Sequence, residues 1–599
     1  MAAAVVVERD IECKSSVEEL WRVLTDTSYL NRLTGEAPRQ IAAIGDGDRD
    51  GGDGARYRVK TRAGGFSVEW EEWPFEWVHQ QRFRVFRKFK AGPVDSVDTV
   101  LTFAARDGGG ARVGVRLALA PKIAWLSWMV RFGTRRAADA LVLSVRAVDE
   151  ALSRRAPLPL PAKAKPPANL DGLERALAAL RARASSPALV DRLGDFIRAA
   201  RDEDLARIRP YALADAWGAD RRALLATCLE AVRAGLFELR WEVICPSCRV
   251  GAEVVSSLAA IKEHSRCHLC EIEFGLDVDE ALEATFAPTP SVRKIDVGQY
   301  CVGGPARTPH VLAQALLPAR GRATLAAPVE PGRYRLFVRG GETFALEVAD
   351  DGAGAVHARA AGEALRVRPR GEVTVESAHD DARHVKLERV AHDTQAATAR
   401  EVSLVPGFRR DFSSEVLRPD LALKVSTVTL FFSDLTASTQ LYADIGDAAA
   451  LRLVHDHFDV VFGIVERHGG TLVKTIGDAV MAAFVDDLAA VAASLEMLRA
   501  FDKFRAEVPN GARTHLKLGV FRGPSYLVNA NGVLDYFGQT VNIAARLQAQ
   551  AASGELVIEA ALADLAVARG TLPASSVRER YRATLKGVTQ ALDVVRIVA

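Results

Sequence analysis

No stretch of this chain holds an uninterrupted apolar run near the roughly 18 residues that a membrane span needs. The longest candidate, "IAWLSWMV" at 123–130, is far too short. A basic n-region is missing too: "MAAAVVVERD" meets acid and base at once, so no signal peptide is expected. Net charge is only +2, which removes a strong overall field for nucleic acid or anionic lipid. Cysteine is scarce. Of seven, four stand in two CxxC pairs, a usage that points to metal binding in a reducing compartment, the cytoplasm. The remainder is ordinary for a globular protein, 49% apolar and 26% charged. At 599 residues the chain is too long for one core, and about four domains are expected.

Residues 1–155 begin with the strand-like "AAVVVERDIECK" and continue with "SSVEELWRVLTDTSYLNRLTG". Ser15 or Ser16 can cap that helix, with Glu18 or Glu19 completing a capping box. Strand-like runs follow, and a long helical pattern closes the unit from Ala124 to Leu152. A small helix, an antiparallel sheet and a long last helix resemble the START-like helix-grip fold. That resemblance implies an apolar small-molecule ligand between sheet and last helix. A filled core with a purely interactive role is the equal alternative.

The Pro/Ala/Lys segment 156–170 reads as a stiff, solvated linker. Residues 171–243 are helical in period and close on "LFELRWEV", a pattern that resembles a winged helix. DNA binding needs a basic stripe for phosphate contacts. Between Asp171 and Arg240 there are 12 Arg and 11 acidic residues, so packing or dimerisation is favoured and no nucleic-acid partner is expected. In 244–289, Cys245 and Cys248 precede Cys267 and Cys270, with 18 residues between the pairs. Each CxxC knuckle offers two thiolates, and one structural Zn(II) accepts four with no position left open. The pattern resembles a zinc ribbon. His264 and His268 lie close by, but four cysteines already complete the shell. Residues 290–420 are strand-rich with Gly/Pro turns, suggesting a compact all-β module. Its flanks "YCVGGPARTPHVLAQ" and "FRRDFSSEVLRPD" resemble a bacterial segment found upstream of nucleotide cyclase domains, and Cys301 and His310 read as packing residues.

From Ser426 the pattern alternates β and α. Asp434 stands where the apolar strand Val428 to Phe432 gives out, and Asp478 sits at the turn of "TLVKTIGDAVMAAF". Two carboxylates at the ends of neighbouring strands can share divalent cations, as two-metal phosphoryl chemistry requires. In "LDYFGQTVNIAARLQ", Asn542 and Arg546 lie at i, i+4 on one helix face, and Gly538 permits the tight entry. Arg546 offers a planar, permanently charged fork suited to a phosphoryl group. Asp535 precedes the turn as a hydrogen-bond acceptor.

The stretches "LFFSDLTAST", "VKTIGDAVMAAF", "LDYFGQTVNIAARL" and "TLKGV" together resemble the catalytic domain of class III nucleotide cyclases over residues 421–599. The resemblance implies that Asp434 and Asp478 bind two Mg(II) or Mn(II) ions and that Lys474 and Asp535 read adenine. It further implies that Asn542 orients the ribose, Arg546 stabilises the transition state and Lys586 contacts phosphates. A Lys donor beside an Asp acceptor complements the adenine edge, whereas guanine presents the reverse polarity. Adenylate cyclase activity, ATP to 3′,5′-cyclic AMP and pyrophosphate, is the expectation. The family's site lies between two such domains, which implies a head-to-tail homodimer. Phe521 departs from the His that relatives often carry there. The expected fold class is a multidomain α+β chain: helix-grip domain, winged-helix-like and zinc-ribbon-like middle, all-β module, and ferredoxin-like α/β cyclase domain. The alternative is a zinc-containing DNA-binding or lipid-sensing regulator with a vestigial cyclase domain.

Overall fold

The computed structural model describes residues 3–598 apart from 45–55, 64–65, 160–168, 276–280, 302, 360–361, 391–393, 437–442 and 589. Most of the 156–170 linker and the "AST" that ends "LFFSDLTAST" lie outside the described residues.

The strand Val5–Cys13 pairs antiparallel with Ala111–Pro121. Ser16 then caps the helix Val17–Leu24, and Glu19 closes the capping box by accepting from the Ser16 N–H. The single helix expected here is two. Asp26 accepts from the Tyr29 N–H at 3.1 Å and caps a second helix, Thr27–Leu33, so the chain turns where the first one ends. Antiparallel strands follow, and the helix Ser127–Ser153 crosses them, with Val145 and Val148 packed among Trp21, Phe103, Val113 and Val115.

This sheet does not stop at the first unit. Glu76–Val78 pairs with Val311–Leu317, Trp77 opposite Gln314 and Val78 opposite Ala313. The Trp77 indole N–H also donates to the Val311 carbonyl at 3.0 Å. One fourteen-stranded sheet therefore joins the N-terminal unit to the strand-rich segment. The compact all-β module expected at 290–420 differs in a second way. Its end forms the short helices Ala399–Ser403 and Phe408–Asp411, which pack towards the C-terminal domain.

Between these parts, helices Leu170–Arg181, Pro187–Ala199, Pro210–Trp217 and Arg221–Arg233 surround Leu173, Leu177, Leu193, Leu224 and Leu225. They rest on a three-stranded sheet, Gly251–Val255, Phe237–Ile244 and Leu282–Pro288. Leu282–Pro288 is buried throughout and belongs to this sheet, although sequence spacing assigns it to the cysteine segment. Arg181, Arg198, Arg201, Arg207 and Arg221 are paired with Asp191, Glu174, Asp204, Glu242 and Asp215 respectively.

The C-terminal domain is an eight-stranded sheet, antiparallel except where Leu516–Ala530 meets Glu555–Glu559. Period-two alternation assigns its residues to two faces. Phe431, Val480, Ala482 and Phe484 pack with the helices Asp447–Arg467 and Asp487–Glu507. Leu430, Phe432, Met481 and Ala483 join Ile543, Ala544 and Leu547 of the helix Gln539–Gln550. That second core continues without a break into Val402, Leu404 and the helical unit.

Candidate active site and a four-cysteine centre

"TLVKTIGDAVMAAF" is a hairpin, Thr471–Ile476 paired with Ala479–Phe484. Ile476 opposes Ala479, leaving Gly477 and Asp478 as the two turn residues. Gly477 has φ +65°, a left-handed conformation that glycine adopts without steric cost and that suits the first position of a tight hairpin turn. The central strand Leu423–Leu435 pairs with Ala479–Phe484 in a register that sets Ser433 opposite Val480. That register carries Asp478, at the turn, to the end of the strand that bears Asp434.

Burial first, and the neighbouring charge of Asp478 second, raise the Asp434 carboxyl above its usual range. Lys517, opposite Asp434 on Leu516–Ala530, works the other way, as does Gln548, whose Nε2 lies 3.5 Å from Asp434 Oδ2. Asp478 Oδ2 is buried and has no hydrogen-bond partner. A buried, unsatisfied carboxylate oxygen beside a second carboxylate is costly unless a cation neutralises both. The pair therefore suits a hard divalent ion bound through few carboxylates. His457, on Asp447–Arg467, is also near: its ring is buried, Nε2 is unpartnered, and Asp478's charge is felt there. Burial nevertheless pushes its pKa down to about 4.

Lys474 Nζ and Asp535 Oδ2 meet at 2.5 Å, joining this hairpin to the strand Val533–Phe537. The Asp535 side chain is 15% exposed, and its Oδ1 accepts from the Tyr536 N–H at 2.8 Å. A donor and an acceptor thus stand side by side, neutralising each other. Gly538, with φ +135°, opens the helix Gln539–Gln550, on which Asn542 is exposed and Arg546 half-buried. The Arg546 guanidinium lies 3.6 Å from the position a Cβ on Gly587 would take, which puts the exposed Lys586 loop beside it.

The helix divides these groups. At about 100° per residue, Gln548 and Arg546 project on nearly opposite sides. Gln548 touches Asp434 of its own chain, so Asn542 and Arg546 are turned away from the carboxylate pair. Gln548, Lys517 and His457 carry no signal as a sequence pattern. They were reachable only through strand register and helix rotation. Phe521 is buried in the apolar core and takes no part in either group.

Cys245, Cys248, Cys267 and Cys270 converge, their sulfurs all within 4.8 Å of one another and every one buried. Cys248 and Cys267 are 3.7 Å apart. Tetrahedral Zn(II) with Zn–S of about 2.3 Å sets its sulfurs about 3.8 Å apart, so the donor set fits such an ion. Lys386 Nζ, buried on the adjoining sheet, lies 3.4 Å from Cys270 Sγ and offsets thiolate charge. His310 holds the first knuckle by its Nε2 contact with the Ser247 carbonyl, and Cys301 is buried against Thr27, consistent with packing.

Two family models match the chain. Residues 422–592 match the adenylate and guanylate cyclase catalytic domain. Residues 171–300 match a family of unknown function, DUF5939, which spans both the helical unit and the cysteine segment. The chain thus carries a C-terminal domain of the class III adenylate/guanylate cyclase type.

Among curated relatives, uncharacterized protein Rv2212 of Mycobacterium tuberculosis is 34% identical over 141 residues, covering 23% of this chain and 34% of that protein. Uncharacterized protein Rv0891c of the same organism is 31% identical over 153 residues, covering 25% of this chain and 48% of its own length. The chain spans about a third to a half of the length of these relatives. Among solved structures, the adenylyl cyclase CyaB from P. aeruginosa is 23% identical with a TM-score of 0.26, covering 30% of this chain and 96% of that one. The guanylate cyclase domain of RhGC from Catenaria anguillulae, in complex with GTP, is 20% identical with a TM-score of 0.26, covering 29% and 98%.

Proposed function

We propose that the C-terminal domain is an adenylate cyclase, converting ATP to 3′,5′-cyclic AMP and pyrophosphate at a site shared by two copies of the chain. The observation that carries the shared site is the division of groups across the helix Gln539–Gln550. Asp434 lies on the Gln548 side, and Asn542 and Arg546 lie on the other. In a head-to-tail homodimer, Asp434 and Asp478 of one protomer face Lys474, Asp535, Asn542, Arg546 and Lys586 of its partner.

In this reading, Asp434 and Asp478 hold two Mg(II) or Mn(II) ions, which when bound lower the pKa of the ribose 3′ hydroxyl and neutralise the triphosphate. Lys474 and Asp535 exchange their mutual ion pair for the ring nitrogen and amino group of adenine. Guanine would set donor against donor and acceptor against acceptor. Asn542 fixes the ribose, and Arg546 and Lys586 match charge growing on the phosphates. The four cysteines hold a structural Zn(II) in a ribbon-like fold. The helix-grip-like N-terminal unit and winged-helix-like middle regulate dimer geometry. The sheet-to-helix space that would take an apolar ligand holds Trp21, Phe103, Val145 and Val148, which supports a role through contacts. None of the seven cysteines, all among the described residues, is in a disulfide, which supports a cytoplasmic setting.

The test is turnover of ATP against GTP by the full chain with Mg(II) or Mn(II). ATP should be preferred, and Lys474→Glu with Asp535→Cys should move the kcat/KM ratio towards GTP by about 100-fold. An unshifted ratio would defeat the base-reading roles, and absence of any cyclic product with either nucleotide would defeat the reading as a whole.

A further inference from the structure

The segment "KIAWLSWMVRFGTRR", too short to cross a membrane, forms the start of the long N-terminal helix. One side of it is fully used by the fold. Val130, Thr134 and Ala138 are buried, with Ala138 against Val7 and Leu117. The opposite side carries Trp125, Trp128, Met129 and Phe132, at i, i+3, i+4 and i+7. These side chains stay in solvent: Trp125 is 69% exposed, Trp128 68% and Phe132 68%, with Ile123 beside them at 52%. Large apolar side chains scattered singly need no explanation, but a contiguous face of five marks an interaction surface.

Charge identifies what the face meets. No Asp or Glu occurs between Asp107 and Asp139, although the whole chain is nearly neutral. Lys122, Arg131, Arg135 and Arg136 are exposed within that stretch. No carboxylate among the described residues pairs with Arg131, Arg135 or Arg136, whereas Asp139, one turn on, is spent on Arg9. Lys122 Nζ donates to the Lys90 carbonyl at 2.7 Å, which adds the exposed Lys88 to the same rim, while the Lys90 ammonium itself is spent on Glu71. Apolar and aromatic residues ringed by unpaired cations are the composition of a helix lying in a membrane interface. A second copy fits poorly, since a two-fold pairing of this face would bring two cationic rims together with no carboxylate between Asp107 and Asp139 to offset them. Nucleic acid would leave the apolar centre unused.

We propose that this face docks the protein peripherally on an anionic lipid surface, with Trp125, Trp128 and Phe132 entering the interface and Arg131, Arg135 and Arg136 meeting lipid phosphates. No helix among the described residues is long and apolar enough to cross a membrane, so the contact is one of docking. The proposal is independent of the cyclase reading.

The test is co-sedimentation of the full chain with vesicles of phosphatidylcholine alone or of equal parts phosphatidylcholine and phosphatidylglycerol. The chain should pellet with the anionic vesicles only, and less so at high salt. Trp125→Ala with Trp128→Ala should lower partitioning by about tenfold, and so should Arg131→Glu, Arg135→Glu and Arg136→Glu together. All five side chains are exposed, so unchanged thermal unfolding should accompany both losses. No pelleting, or pelleting that both variants retain, overturns the proposal. So does a self-association of the chain alone, seen by sedimentation velocity, that the Trp variant abolishes while lipid binding persists.

Discussion

The two candidate metal centres are opposites. The four cysteines are buried, come from one chain and close on one another, with 18 residues of sequence between two knuckles. The two aspartates are half-buried, sit at strand ends, and leave an oxygen with no partner. A closed shell of soft ligands holds structure, and an open pair of hard ligands leaves room for substrate oxygens. The cysteine centre is complete within a protomer. The aspartate centre faces away from Arg546, and under the proposed cyclase reading that difference separates a structural centre from a site shared by two copies.

The sharpest way to break the comparison is Asp478→Ala. We expect cyclic nucleotide formation to fall by about 10³-fold, measured by product assay, with the unfolding midpoint unchanged or raised. Next in size, Asp434→Ala and Arg546→Ala should each be inactive alone. Mixed, they should recover about a quarter of wild-type activity, because half the dimers then carry one intact site. Failure to recover would place both residues in one protomer's site.

Removal of metal from the cysteine centre by a chelator, or Cys267→Ser, should lower the thermal midpoint by about 10 °C or more. The thiols of the untreated chain should resist alkylation until the chelator is added. The smallest effect concerns Asp434 itself. Its folded-state pKa is raised, so its favourable contribution is present below the unfolded value and is lost as pH rises through the folded one. Asp434→Asn should therefore slightly stabilise the metal-free chain at neutral pH and flatten the acid side of its stability profile. Added Mg(II) should stabilise the wild-type chain only.

Local pattern carried some of this architecture well. The 471–484 hairpin follows from two apolar runs about a Gly-Asp turn, and the cysteine cluster from spacing alone. Elsewhere a short competing signal decided the outcome. Asp26 caps a new helix inside what reads as one amphipathic run, because its carboxylate reaches the Tyr29 N–H. The strand Leu282–Pro288 leaves the cysteine segment for the helical unit's sheet, since its partner Phe237–Ile244 lies across the intervening knuckles. One family model spanning 171–300 agrees with that joint unit.

Which residue types stand at which spacing was determined by the sequence itself: the two knuckles, the aspartates at strand ends, the Asn and Arg one turn apart. Only the tertiary structure decided which of them meet. Glu76–Val78 joins Val311–Leu317 across more than two hundred residues, and either edge alone reads as an ordinary strand. Gln548 reaches Asp434 because helix rotation puts it there, and that same rotation turns Arg546 away. The physical reason is common to both. Periodicity records which face of an element is apolar, but the partner of that face is chosen by packing and hydrogen bonding between elements distant in the chain.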